Sequence, residues 1–119
     1  MKNRRQRAEQ QGRKAETAAL LLLLFKGYWP LARRAKTPRG EIDLIVRRGQ
    51  QLVLVEVKNR AHIEAANEAV SGMQQQRIMD AFYWWLARHP RYSHLHTRCD
   101  VVLSAPGRFP KHIANAFSA

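Results

Sequence analysis

The sequence predicts a small α/β domain in which a four-stranded mixed sheet carries helices on both of its faces. Three observations lead to this fold class. Residues 40–58 show the pattern of a β-hairpin, and apolar helical patterns lie on either side of it, at 13–26 and after Ser71. A further apolar strand pattern covers residues 98–105. The predicted order is therefore helix, strand, hairpin, helix, strand.

A chain of 119 residues suits one domain, which we assign to residues 13–119. The preceding residues, 1–12, are rich in Arg and Lys and are expected to form a basic arm that is frayed or partly helical. The first helix is predicted over 13–26. Its residues 20–24 are apolar all round, which predicts a largely buried helix, and Gly27 is a suitable stop.

The turn of the hairpin is predicted at residues 49–50, where glycine comes first. Opposing residues then have numbers that sum to 99, so that Asp43 faces Glu56 and Glu41 faces Lys58. Alternation places these four charged side chains on one face of the hairpin. The opposite face is apolar and consists of Ile42, Leu44, Val46, Val53, Val55 and Val57. The charged face also has apolar residues near the turn, which predicts that the hairpin is covered on both sides.

Strands are predicted on both sides of this hairpin. Residues 28–34 form a short strand in which Pro30 cannot donate to a ladder, which indicates a sheet edge or an irregularity. The strand at 98–105 follows a helix, so it should run parallel to the second hairpin strand. The tail, residues 106–119, offers apolar side chains for packing on the sheet, namely Ile113, Ala114 and Phe117.

The second helix starts at Ser71, which forms a capping-box pattern with Gln74, and ends near His89 and Pro90. Helical spacing predicts one buried stripe consisting of Met73, Arg77, Ile78, Ala81, Phe82, Trp85 and Leu86. Core packing of Trp85 and partial burial of Trp84 are favoured over base stacking.

One cysteine, Cys99, excludes a disulfide within the chain and fits a reducing cytoplasm. Its strand pattern predicts a buried thiol. The next residue, Asp100, lies in the same strand. The apolar run at 18–25 is too short to span a membrane, and no signal-peptidase site follows it.

The formal net charge of +12, from 21 basic and 9 acidic residues, indicates a polyanionic partner, most simply nucleic acid, but net charge alone does not separate this from a solvated basic surface. The distribution of the acidic residues is more informative than the total. Three of the nine, Glu41, Asp43 and Glu56, lie in the hairpin. An acidic spot within a basic chain is what a metal-dependent enzyme acting on phosphates requires.

The opposed carboxylates of Asp43 and Glu56 have a chemical explanation. Like charges facing each other destabilise a strand pair, and burial of a lone carboxylate is costly. A divalent cation removes both difficulties, and Mg²⁺ is commonly held by one or two carboxylates, water and a substrate phosphate. Lys58 points the same way as Glu56 and could contact a phosphate or activate water. The pattern Asp-x12-Glu-x-Lys therefore predicts a phosphodiester-cleaving site.

The segments GEIDLI and LVLVEVKNR resemble the YraN family of small bacterial proteins, within the PD-(D/E)xK nuclease superfamily. The similarity covers residues 12–117. It implies a restriction-endonuclease-like fold related to the Holliday-junction resolvases, with Asp43 and Glu56 as ligands of Mg²⁺ or Mn²⁺ and Lys58 as the third catalytic residue. A backbone carbonyl of Glu56 or Val57 would complete the metal site. The superfamily also contains members without catalysis, so the fold alone implies no activity.

The resemblance has consequences outside the hairpin. Asp100 resembles a family aspartate that is interpreted as structural, with Arg98 or another cation as its partner. Resolvase-like nucleases often place a glutamate of the first helix beside the metal, which makes Glu16 a candidate ligand; a favourable charge at a helix N-terminus is the alternative. Glu41 is a weaker candidate ligand that could equally pair with Lys58. The family usually has a lysine at the position of Gln74, where capping is the safer interpretation. Related resolvases are dimers, which makes a homodimer one possible assembly.

Six basic residues near these positions are candidates for binding a nucleic-acid backbone, with a solvated loop as the alternative: Arg33, Arg34, Lys36, Arg39, Arg60 and Arg77. Three functions remain open at this point. The first is a metal-dependent DNA endonuclease, with branched DNA as a candidate substrate. The second is a non-catalytic nucleic-acid-binding module on a nuclease fold, and the third is a protein-interaction or assembly factor. The intact Asp43, Glu56 and Lys58 favour the first.

Overall fold

The structure is a computed structural model of the chain and describes residues 3–59 and 72–117. Within these ranges the chain folds as an α/β unit in the order α, β, β, β, α, β, β. The elements are α1 (Arg4–Phe25), β1 (Trp29–Thr37), β2 (Gly40–Arg48), β3 (Gln51–Asn59), α2 (Gly72–Ala87), a 3-10 turn (Pro90–Tyr92), β4 (His96–Ser104) and β5 (Lys111–Phe117).

The described strands form one mixed sheet in the order β1-β2-β3-β4-β5. As predicted, β4 runs parallel to β3, and the other neighbours are antiparallel. The prediction of four strands is wrong, because part of the tail pairs with β4 as a fifth strand. Pro30 lies on the edge strand β1 next to a register shift, in agreement with its missing donor.

The hairpin has the predicted register. The β2–β3 ladder runs from Leu44 opposite Val55 to Arg48 opposite Gln51, and Gly49 in the turn has φ 60°. The predicted pairs of charged residues, Asp43–Glu56 and Glu41–Lys58, lie beyond the end of this ladder. The strands are therefore least tightly paired where the charged residues lie.

Each face of the sheet has its own apolar core, so the hairpin is covered on both sides as predicted. The α1 core consists of Ala19, Leu23, Tyr28, Leu44, Val46, Val53, Val55 and Val102. The α2 core includes Ile45, Leu52, Leu54, Phe82, Trp85 and Leu103. Ile42 belongs to the α2 core, although alternation had assigned it to the face of Leu44. The reason is a local break in alternation, since Ala32 and Ala35 of β1 both pack on the α2 core and Arg34 between them has φ 50°.

Both helices differ from their predictions in detail. Helix α1 begins at Arg4, because Asn3 accepts a hydrogen bond from the Gln6 N–H at 2.8 Å and caps the helix, so most of the basic arm is helical. Its outer face is exposed rather than buried, with Phe25 at 91% of its maximal accessibility. In α2, Met73 and Arg77 are exposed and do not belong to the buried stripe, while Met79 does. The predicted cap, Ser71, lies outside the described residues.

Several burial predictions are confirmed. Trp85 is buried and Trp84 is half-buried under the Arg88 guanidinium, 3.7 Å from the ring centroid. Cys99 is buried, and burial raises the pKa of its thiol to about 12. None of the described helices is both long enough and apolar enough to cross a lipid bilayer.

Candidate active site

The first residue of the site, Asp43, is fixed by the backbone of the neighbouring strand. Its Oδ2 accepts a hydrogen bond from the Val57 N–H at 2.8 Å, beyond the last β2–β3 ladder pair. The Asp43 carboxylate thus accepts a hydrogen bond in place of a backbone carbonyl of the ladder, and this bond links β2 to β3. Burial raises the pKa of Asp43, and the Val57 N–H opposes this effect because it stabilises the charged form.

Glu56 is the most unusual carboxylate of the site. Only 6% of the residue is exposed, and its Oε1 is buried with no hydrogen-bond partner among the described residues. Burial, followed by the charge of Asp43, raises the pKa of Glu56 to about 8. The two carboxyl groups therefore retain a proton at neutral pH unless a cation joins them. An unpartnered buried carboxylate oxygen is costly and indicates a position for a ligand.

Lys58 lies two residues after Glu56 and reaches the same carboxyl group. Its Nζ is 4.0 Å from Glu56 Oε2, and its side chain is 14% exposed. This separation is an ion pair without a hydrogen bond. The ammonium group thus stabilises the charged form of Glu56 by its charge alone.

The structure brings Asp43, Glu56 and Lys58 together, whereas Glu16 has a different partner. Glu16 Oε2 accepts two hydrogen bonds from Arg34, from Nε at 2.8 Å and from Nη2 at 2.7 Å. Glu41 is exposed and forms no ion pair with Lys58 within the described chain, so that alternative is wrong. Both glutamates line one open cleft of about 470 Å³, together with Gly12, Arg13, Arg34 and Lys36.

The donor set fits a hard divalent cation with few protein ligands. Mg²⁺ commonly uses one or two carboxylates and completes its octahedron with water and phosphate oxygens. Asp43 and Glu56 supply two carboxylates, and the unpartnered Oε1 of Glu56 is available as a ligand. In the part of the chain that the structure describes, no three Asp, Glu, His or Cys side chains gather as a metal cluster. Glu16 instead bonds Arg34, although its charge still acts on Asp43.

The sequence is similar to those of known proteins. The profile of the family described as "Uncharacterised protein family UPF0102" matches residues 15–103. The chain belongs to this family. The UPF0102 protein of Parvibaculum lavamentivorans is 52% identical over 106 residues, which cover 89% of this chain and 80% of the relative. The UPF0102 protein of Methylorubrum extorquens is 48% identical over 114 residues, covering 96% and 89% of the two chains. The predicted membership of the YraN family is thereby confirmed.

In this UPF0102 protein, four of the predicted phosphate-binding cations line two open clefts. Arg34 and Lys36 line the cleft that contains Glu16. Arg39 and Arg77 line a second open cleft of about 410 Å³ between the β1–β2 turn and α2. Arg33 is exposed on β1, and Arg60 lies outside the described residues. Exposed cations therefore lie in clefts on both sides of the β1–β2 turn, which precedes Asp43.

A second polar cluster of the UPF0102 protein surrounds Asp100, which is fully buried. Its carboxylate accepts hydrogen bonds from Arg98 Nε at 2.7 Å, from Arg98 Nη2 at 2.8 Å and from the Asn115 N–H at 2.9 Å. His112 Nε2 contacts Oδ2 at 2.7 Å. Burial alone would raise the pKa of Asp100, but Arg98 and the other donors outweigh it and lower the pKa. Both oxygens are occupied, so this cluster joins β4 to β5 and is structural.

The pairing of Asp100 with Arg98 confirms the prediction, whereas the contacts of His112 and Tyr28 in this cluster were not predicted. The Tyr28 hydroxyl contacts Arg98 Nη2 at 2.6 Å from 70 residues away along the chain. No local pattern links such distant positions. The Glu16–Arg34 contact was missed for the same reason, because the two residues lie on separate elements.

Proposed function

We propose that this UPF0102 protein is a metal-dependent endonuclease that hydrolyses phosphodiester bonds in DNA. The observation that carries the proposal is the buried carboxylate of Glu56, whose Oε1 has no partner among the described residues. Asp43 is fixed beside it and Lys58 approaches the same group. Two carboxylates with raised pKa values next to an ammonium group are typical of a site that binds a cation and acts on phosphate.

The fold supports the same function. The described elements contain the predicted order helix, three strands, helix, strand, and the carboxylates lie at the end of the β2–β3 hairpin. This arrangement resembles the restriction-endonuclease-like core of the Holliday-junction resolvases, with β5 as an addition. Branched DNA is therefore the first substrate to test, with flapped and linear duplex DNA beside it.

Each residue has a distinct role in this mechanism. Asp43 and Glu56 would hold Mg²⁺ or Mn²⁺, which when bound stabilises charge on the scissile phosphate and acidifies water. The Val57 N–H donates to Asp43 Oδ2 and so fixes the orientation of this carboxylate. Lys58 would donate to the attacking water or to a phosphate oxygen and so offset the negative charge that develops during hydrolysis. The cations in the two clefts would hold the backbone on either side.

A cleavage assay tests the proposal. Wild type and Asp43→Asn would be incubated with branched, flapped, single-stranded and linear duplex DNA, each in Mg²⁺, Mn²⁺ or EDTA. Gln51→Ala is the control, because Gln51 lies on the same hairpin at its turn end, where its side chain donates to the His96 carbonyl at 3.0 Å and lines neither cleft. We expect metal-dependent cleavage by wild type and by the control variant alone. Cleavage that persists in EDTA or in Asp43→Asn would contradict the proposal.

A second candidate function is nucleic-acid binding without catalysis. It is favoured by the exposed cations Arg33, Arg34, Lys36, Arg39 and Arg77, which need no metal to contact phosphates. It predicts salt-sensitive binding in EDTA that survives Asp43→Asn, with no cleavage of any substrate. Binding measured by fluorescence anisotropy on the same DNA panel separates the two functions.

A further inference from the structure

One cation of the cleft is bonded to a candidate metal ligand. Arg34 donates through Nε and Nη2 to Glu16 Oε2, at 2.8 and 2.7 Å. The Glu16 side chain is only 17% exposed, whereas that of Arg34 is 47% exposed. The guanidinium therefore covers the glutamate from the solvent side of the cleft.

The backbone of β1 is distorted at this contact. Arg34 has φ 50°, in the left-handed region that side chains other than those of Gly, Asn and Asp rarely adopt. The distortion coincides with the break in alternation that separates Ala32 from Ala35. An outlier of this kind in a strand next to a candidate site indicates that the position of the side chain matters to function.

Arg34 also interacts with the other carboxylates of the site. Besides Glu16, the charges of Glu41 and Asp43 act on its guanidinium. A single cation thus balances part of the negative charge of three acidic residues. Arg33, on the same strand and also exposed, makes no ion pair with a described residue, so the role is specific to position 34.

We propose that Arg34 is the built-in counter-cation of this site and a positioning residue that holds Glu16 away from Asp43 and Glu56 until a divalent cation binds. The inference rests on the proposed metal-dependent function. A bound divalent cation would compete with Arg34 for Glu16, which would then become an additional ligand. The released guanidinium would contact a phosphate in the cleft that it lines. The contact also explains why the described carboxylates do not gather as a three-residue metal cluster.

Binding of Mn²⁺ in the absence of nucleic acid tests this inference, with free Mn²⁺ measured by electron paramagnetic resonance. Arg34→Asn removes the charge with a residue that tolerates the left-handed conformation. We expect it to bind Mn²⁺ about threefold to tenfold more tightly than wild type, the range expected when a partly exposed competing cation is removed. Arg34→Lys keeps a cation, and the neighbouring control Arg33→Asn leaves the contact intact. Both should stay within about twofold of wild type.

A double-mutant comparison establishes whether the effect passes through Glu16. If Arg34 acts by holding Glu16, then Arg34→Asn should tighten binding much less in a Glu16→Gln background. Binding by Arg34→Asn that equals wild type or is weaker overturns the inference, while loss of Mn²⁺ binding in Asp43→Asn still supports the proposed function. Wild type that binds no Mn²⁺, or binds it equally well after Asp43→Asn, overturns both. Circular dichroism of each variant confirms that it is folded.

Discussion

The side chain of Asp43 and the backbone N–H of Val57 form a hydrogen bond of 2.8 Å beyond the point where the β2–β3 ladder ends. Asp43 therefore has two roles, and a substitution such as Asp43→Ala removes both at once. Its bonded oxygen joins the strands, and its charge faces Glu56. Loss of activity after removal of Asp43 can reflect either role, so the choice of substitution decides what is measured.

Asp43→Ala should unfold more easily than Asp43→Asn. The alanine leaves the Val57 N–H without its acceptor, whereas the asparagine amide oxygen can still accept this bond. We expect the two variants to differ by about 1–2 kcal/mol in the free energy of unfolding, the cost of an unpaired backbone donor. Urea denaturation with EDTA measures the difference. Equal stabilities would show that the bond to Val57 contributes nothing to the fold.

Glu56 should make the metal-free protein less stable as the pH rises. Its pKa is about 8 in the folded state, against an ordinary value of 4.5. The folded state therefore binds the additional proton between these two values, and stability is greatest below the lower one. Stability should fall as pH rises from about 4.5 and level off above about 8, with a total loss of up to about 5 kcal/mol, since each unit of pKa difference corresponds to about 1.4 kcal/mol.

Thermal unfolding in EDTA across this pH range measures the effect. Glu56→Gln is the control because it keeps the volume and cannot ionise, while every other residue is the same in both proteins. The difference in stability between wild type and Glu56→Gln at each pH gives the contribution of Glu56 ionisation. Mg²⁺ at pH 8 should restore stability to wild type and leave Glu56→Gln nearly unchanged. A difference between the two proteins that does not vary with pH would contradict the prediction.

Asp100→Asn should be strongly destabilising and should leave metal binding intact. The substitution leaves Arg98 without its buried counter-charge and weakens the bonds from Asn115 and His112. We expect a loss of about 3 kcal/mol, typical of breaking a buried ion pair. Urea denaturation of this variant beside Asp80→Asn, whose partner is the neighbouring Gln76, provides the comparison. A cost as small as that of the control would mean that the Arg98–Asp100 pair is energetically neutral.

The parts of the fold that local patterns determine were predictable. The hairpin register followed from turn chemistry and the apolar face, and the parallel β3–β4 pairing followed from the intervening helix. The strand β5 was missed because its sequence does not alternate clearly. Its residue Asn115 has φ 51°, and its register shifts between Cys99 and Val101 of β4. There the Asn115 N–H bonds the Asp100 side chain, a long-range contact that no local pattern contains.

In the candidate site, too, only the part that depends on local patterns was predictable. Asp43, Glu56 and Lys58 lie on one hairpin, so strand geometry alone could bring them together. The contact between Glu16 and Arg34 depends on how α1 packs across the sheet and on a backbone irregularity in β1. Neither is encoded by spacing along the chain. The exposure of Met73 and Arg77 has a related cause, since the direction of the buried face of α2 is fixed by tertiary packing.

Lys58→Gln should separate catalysis from binding. The Lys58 ammonium lies 4.0 Å from Glu56 Oε2 and is largely buried, so it contributes little to a surface that attracts DNA from solution. We expect the single-turnover cleavage rate at saturating DNA to fall by about 10²-fold or more, as for loss of a group that stabilises transition-state charge. The dissociation constant for DNA should change by less than about threefold, since at most one phosphate contact is lost.

Lys36→Gln is the matched control for this experiment, because Lys36 is an exposed lysine in the neighbouring cleft. It should weaken DNA binding and reduce the salt dependence of the affinity, while the single-turnover rate at saturating DNA stays close to that of wild type. Lys58→Gln would thus lower mainly the cleavage rate, whereas Lys36→Gln would lower mainly the affinity for DNA. If Lys58→Gln cleaves saturating DNA at the wild-type rate, its ammonium acts only as a backbone contact. Hydrolysis would then depend on Asp43 and Glu56 alone.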